Sequence, residues 1–174
     1  MPYLLLAVQF GLAGVFLVSS VAKVKALADT VRMWTDLLQA VRLPAGLAGV
    51  ASWALIAGEF ATGLALLVPV WLFPWGLWPA TALLVGFTVL AVVSARTTMN
   101  LKCACFGRAT TPLGWRHFWR NLVLLGMAVT GLVVWGGGAT PATDPAGVAV
   151  AALAAALVAL LAAFYDDIMD LVLE

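Results

Sequence analysis

The sequence predicts an all-α, polytopic membrane bundle: a four-helix core, a fifth spanning helix towards the C-terminus and a short helix lying along the membrane surface. Three observations carry this. Of the 174 residues, 64% are hydrophobic and only 10% charged, whereas a soluble domain carries about 25% charged residues. The mean hydropathy is +1.09, so too little polar surface exists to wrap a soluble globule. The apolar residues form five runs, most of them near the ~20 residues a helix needs to cross a bilayer. One compact unit fits this length. Residues 1–135 hold the first four spans, and 136–174 add a loop, the fifth span and an acidic tail.

Segment one covers about residues 2–21 and carries no charge. At 1.5 Å per residue it crosses a bilayer core. It has no basic n-region and no clear small-x-small cleavage site before Lys23, so it reads as a retained helix. Gly11, Gly14, Ser19 and Ser20 would let another helix approach closely. Lys23 and Lys25 end the segment at an interface. Residues 26–42 are mixed, with Trp34, Leu37, Leu38 and Val41 at helical spacing among Asp29, Arg32, Asp36, Gln39 and Arg42. This is the pattern of a surface helix anchored by Trp34 and stopped at Leu43-Pro44.

Segment two, about 45–70, is apolar except for Glu59 near its middle. A carboxylate at bilayer depth is costly and faces the bundle interior or a water-filled cavity. Glu59 reads either as a proton-handling or cofactor-contacting group, or as a structural carboxyl bonded to Ser52, Thr62 or another helix. The stretch 68–79 holds three Pro and three Trp, which suit a helix end and an interfacial belt. Segment three follows at about 77–95, closed by Arg96. Segment four covers about 118–135, with Arg116 and His117 just before it and Arg120 at its start, and His117 at the interface beside Arg116 and Trp119. Residues 136–147 have turn-forming composition. Segment five, about 148–164, is Ala-rich, and an acidic tail follows.

Between segments three and four lies the one clearly polar loop after residue 45, with Lys102-Cys103-Ala104-Cys105-Phe106-Gly107-Arg108 at its centre. Cys103 and Cys105 are the only cysteines. Two residues of extended chain separate their Cα atoms by at most about 7 Å. A disulfide wants about 5.5–6 Å, so the chain must bend there, beside Gly107. So small a ring is strained, which favours an exchanging disulfide over a structural one. Lys102 and Arg108 favour the thiolate, the nucleophile in exchange. These features point to a redox-active pair. Simple packing of two thiols and soft-metal handling, such as Cu(I), stay open as alternatives. Two thiolates are too few for a closed zinc site. No nucleotide-binding loop, Ser/His/Asp set or HExxH motif is present. The net charge of +1, with no basic tail, implies no nucleic-acid partner.

All nine Lys and Arg lie after segment one or after segment three, on one side of a five-span bundle. The positive-inside rule assigns that side to the cytoplasm, where thiols are kept reduced.

Four elements together, FLVSSVAK (16–23), Glu59, KCACFG (102–107) and WRHFWRN (115–121), resemble the methylamine utilization protein MauE family, part of a wider DoxX-like group of redox-associated membrane proteins. The resemblance covers roughly residues 1–135. It matches Cys103 and Cys105 to the family's cysteine pair, Phe106-Gly107 to its Phe-Gly, and Arg120-Asn121 to its Arg-Asn, with Lys23 in the Ser-to-Lys element. It implies a cell-membrane protein that assists maturation of an exported, disulfide-rich client of the methylamine dehydrogenase small-subunit type, alongside a thioredoxin-like partner. It also implies an extracytoplasmic cysteine loop, opposite to the charge rule. The expected activity is thiol–disulfide exchange or electron transfer, with Cys103 and Cys105 catalytic and Lys102, Phe106, Gly107, Arg108, Glu59, Lys23, Arg120 and Asn121 supporting. A membrane quinone enters by analogy with other four-helix thiol oxidases, and no residue fixes its site. A non-catalytic anchor that recruits a redox protein is the alternative from another class.

Overall fold

The computed structural model describes residues 2–67, 73–96, 114–138 and 144–173. Among these there are no strands. Six helices follow in order: α1 (Pro2–Lys25), α2 (Leu27–Ala40), α3 (Ala48–Leu67) behind a 3-10 turn at Ala45–Leu47, α4 (Phe73–Arg96), α5 (Trp115–Gly136) and α6 (Pro145–Leu173). All except α2 are long and apolar enough to cross a membrane.

Several helices outrun their apolar runs. α1 continues past residue 21 to Lys25 and α5 starts at Trp115, because charged and aromatic side chains do not interrupt backbone hydrogen bonding. α4 starts at Phe73 rather than near 77, with Pro74 in its first turn, where the missing N–H costs nothing, and Pro79 inside. α6 starts at Pro145. The Asp144 carboxylate accepts from the Gly147 backbone N–H at 2.7 Å, a helix N-cap followed by proline at the first position. The helix then continues through the acidic tail.

α1 is the central helix. Of its most apolar window 61% is buried, against 17–33% for the other spans. Leu5, Leu12 and Phe16 pack with Leu66 of α3, Leu77 and Leu84 of α4, and Leu124 and Ala128 of α5. α1 and α3 run antiparallel, since a Cβ on Gly63 would meet Leu17 and Ala13, and Lys23 reaches Glu59. α4 follows α3 antiparallel, Gly76 lying against Ala65 and Leu66. α6 runs parallel to α1: the Tyr3 hydroxyl donates to Asp144 at 3.1 Å, Gly11 faces Ala155 and Val158, and Gly14 faces Ala159. Two apolar helices gain little by leaving lipid for each other, so close backbone approach at small residues holds this pair together.

The expected surface helix is α2, but its apolar side is turned by about one residue from the expected stripe. Thr30, Met33 and Leu38 are buried, Trp34 and Leu37 partly so, and Val41 is exposed. Met33 packs with Ala91 and Leu90 of α4 and Phe118 of α5. α2 therefore crosses one end of the bundle and packs onto it. Its C-terminus closes with the Leu43 N–H donating to the Leu38 carbonyl (2.8 Å) and Arg42 to Gln39 (3.0 Å), a Schellman arrangement. The residue in the left-handed position is Arg42, at φ 61°, where a side chain is disfavoured. Arg42→Gly should stabilise the purified protein by about 0.5–1 kcal/mol, read as a higher thermal-unfolding midpoint in micelles. An unchanged or lower midpoint would contradict this account of the turn.

Candidate functional site: a buried polar cluster

The alternation of spans gathers five helix ends on one side: the C-termini of α1, α4 and α6 and the N-termini of α3 and α5. α2 packs across that side, and the segment 97–113 joins α4 to α5 there. Among the described residues, the buried ionisable side chains Lys23, Glu59, His117 and Arg120 lie in the same half.

α1 contributes Ser19 and Lys23. They continue the buried face Leu5, Gln9, Leu12 and Phe16 at alternating steps of three and four residues. Lys23 is fully buried, which corrects its expected interfacial position. The helix does not stop at residue 21, so Lys23 points inward with the face below it. Its Nζ donates to Glu59 Oε1 at 2.6 Å and to Ser19 Oγ at 2.6 Å. Ser19 Oγ lies 3.3 Å from the same carboxylate oxygen, as donor. The Phe87 ring of α4 covers the ammonium, 5.2 Å from ring centroid to Nζ, within cation–π range.

Glu59 is also fully buried and faces the bundle interior. Ser19 and Lys23 reach it from α1. Ser52 and Thr62 instead donate to carbonyls of their own helix, Ala48 at 2.7 Å and Gly58 at 2.7 Å. An isolated charge at this depth would be severely penalised, and pairing with added hydrogen bonds offsets that.

α5 contributes His117, Arg120 and Asn121, all buried, on the face that continues as Leu124, Ala128 and Gly131. Burial of His117 corrects its expected interfacial place. It directly precedes Phe118, which packs against Met33 of α2, and the helix periodicity places it on the face of Arg120 and Asn121. Arg120 and Asn121 line a small cavity with Ser19, Glu59, Phe16, Leu84 and Phe87. Its volume is about 20 Å³, room for one water.

Of the expected site residues, Lys23, Glu59, Arg120 and Asn121 thus converge from three helices far apart in sequence. Cys103, Cys105, Lys102, Phe106, Gly107 and Arg108 lie outside the described residues. In the sequence, Ser19 reads only as a small packing residue and Phe87 does not stand out. The i, i+4 spacing of Ser19 and Lys23 on the apolar face of α1 was the signal for the first. Nothing in the sequence marks Phe87 among the other aromatics. Among the described residues no group of three or more His, Cys, Asp or Glu could hold a metal ion.

Five apolar helices around a charged, hydrogen-bonded interior define a multi-pass membrane protein with a polar core. The chain belongs to the family of the methylamine utilisation protein MauE, whose profile matches residues 1–134. The match takes in α1 to α5 up to Val134 and leaves α6 outside. No curated protein and no solved structure matches the chain.

Proposed function

We propose that this chain is a membrane thiol–disulfide exchange protein, with Cys103 and Cys105 as the exchanging pair and an exported, disulfide-bearing protein as client. The supporting observation is the burial of Ser19, Lys23, Glu59, Arg120 and Asn121 together, at the end of the bundle where the cysteine-bearing segment is attached. Ion pairs inside membrane bundles mark proton or substrate pathways, and thiol oxidation releases protons. Membership of a family named for methylamine utilisation supports a client of the methylamine dehydrogenase small-subunit type.

In the proposed cycle a client thiolate attacks the Cys103–Cys105 disulfide and forms a mixed disulfide. A second client thiolate resolves it. The client gains one S–S bond, and the pair gains two electrons and becomes a dithiol. Lys102 and Arg108 favour the thiolate forms. A thioredoxin-like protein is the soluble partner in the exchange. Disulfides persist in oxidising compartments, so the segment 97–113 faces the extracytoplasmic side in this reading. Ser19, Lys23 and Glu59 form a hydrogen-bonded chain that can hold a proton away from bulk water.

The test is the disulfide state of the client in cells. Cys103→Ser and Cys105→Ser should each abolish client oxidation while the protein inserts at normal levels. A membrane-impermeant thiol reagent should label the wild-type pair from outside only after reduction. Unchanged client disulfides in both variants would refute the exchange role.

A further inference from the structure

α5 and α6 diverge on the lipid side and leave a trough between them. Trp119, Val123 and Met127 form one wall, Val158, Leu161 and Tyr165 the other. Its volume is about 280 Å³, near the lower end of small-molecule sites. The trough is apolar apart from its floor. Arg120 is more than nine-tenths buried and lines both this trough and the inner cavity that contains Glu59, Ser19 and Asn121. One side chain therefore belongs to the walls of both spaces. Leu161 and Trp119 are more than half exposed, so a ligand enters sideways from the bilayer.

We propose that this trough binds the head ring of an isoprenoid quinone, with the Arg120 guanidinium donating to a ring carbonyl oxygen. The assignment rests on the thiol-exchange reading above, because each client disulfide leaves a dithiol that needs a two-electron acceptor. The chemistry of the trough selects among membrane amphiphiles. The Arg120 guanidinium carries five N–H donors and can offer one to an acceptor on the ligand, and the otherwise apolar wall suits a neutral, flat body. Trp119 and Tyr165 present aromatic surface beside it. Arg120 is five residues inside α5, about 7–8 Å along the helix from its first residue. A phospholipid phosphate would have to leave the headgroup layer to reach it. Electrons balance: oxidation of the Cys103–Cys105 dithiol to the disulfide releases two electrons and two protons, and reduction of the quinone to the hydroquinone takes up both. Glu59 and Lys23, across the wall from Arg120, lie where protons can be held on the way. One wall of the trough is α6, outside the residues that match the family.

The experiment uses the full-length protein in lipid nanodiscs and an azido-ubiquinone photoprobe, competed with decylubiquinone or with phosphatidylglycerol. Cross-links should map to 119–127 and 158–165 and be displaced by decylubiquinone. Arg120→Gln should weaken displacement about tenfold, the loss of one hydrogen bond to a charged donor. Leu161→Trp, which fills the trough from its exposed rim without altering the core, should suppress cross-linking even if Arg120→Gln fails to fold. The Cys103→Ser/Cys105→Ser variant should cross-link like the wild type, which separates quinone binding from the exchange reading. Client oxidation that needs the cysteines, in a protein without saturable cross-linking, would overturn the quinone site alone. Equal displacement by phosphatidylglycerol would overturn it in favour of a lipid site. Cross-linking undiminished by Leu161→Trp would place the quinone elsewhere.

Discussion

Lys23→Met should lower the stability of the bundle by about 3–5 kcal/mol, and Glu59→Leu by a similar amount, while the double variant should recover most of the loss. The reasoning follows from burial on both sides of the pair. The two side chains are 1% and 0% exposed and 2.6 Å apart. Removing one leaves the other charged or polar group in a low-dielectric interior without its main partner, and breaking a buried pair in this way costs about 3–5 kcal/mol. Removing both leaves apolar side chains of similar volume among Phe16, Leu84 and Phe87, an exchange that is often neutral. Ser19 would lose its acceptor on Glu59, and this residual cost should remain in the double variant. A double-mutant cycle from denaturant or SDS unfolding in micelles reads the coupling directly. Additive losses would show that the pair does not hold the helices together. Client oxidation in the double variant then separates a structural pair from a working one. A stable, inserted, inactive protein is the expected outcome if the cluster handles protons.

Gly63→Val should destabilise the protein by about 1–3 kcal/mol through overpacking, whereas Gly58→Ala should stabilise it slightly. A Cβ on Gly63 would lie 2.8 Å from Leu17 Cγ, 2.9 Å from its Cδ2 and 3.4 Å from the Ala13 carbonyl oxygen. The α1–α3 contact must open to accept it. Gly63 is one turn beyond Glu59 on the same buried face, so the displacement also strains the reach from Lys23 to the carboxylate. Gly58 has nothing within 4 Å of its Cβ position. There the intrinsic preference of a helix for Ala over Gly, about 1 kcal/mol, is unopposed. Thermal midpoints of the two variants should move in opposite directions. Equal shifts would show that local helix propensity, and not the interface, sets the effect.

Much of this architecture was legible in the sequence because hydropathy over 20 residues is a coarse and robust signal. The five apolar runs became five long helices, and the mixed stretch after Lys25 became α2. Helix ends were less legible. Hydropathy reports where a chain meets lipid, whereas a helix ends where backbone hydrogen bonding ends. α1 therefore carried Lys23 inward, and α6 began at its Asp144-Pro145 cap, a polar signal placed inside an apparent loop. Glu59 was readable as an interior group from its depth alone. Its partners were not, because Ser52 and Thr62 are near in sequence, and only the antiparallel packing of α1 brings Ser19 and Lys23 to it. His117 was misplaced because neighbouring Arg and Trp residues suggested an interface, while its position on the Arg120–Asn121–Leu124 face points inward.

The parallel contact between α1 and α6 bears on biogenesis. α1 leaves the ribosome ahead of α6, which follows more than a hundred residues later, yet the Gly11 and Gly14 face of α1 is covered by Ala155, Val158 and Ala159. During synthesis that glycine face is open to lipid or to other proteins until α6 has been inserted. Contacts between such distant parts of a chain form slowly, and partly assembled membrane helices are open to mispairing. The α5–α6 trough exists only once this last step is complete. Nascent chains halted after α5 would therefore expose the α1 face for capture by a membrane chaperone or by a second copy, and would lack the lateral pocket.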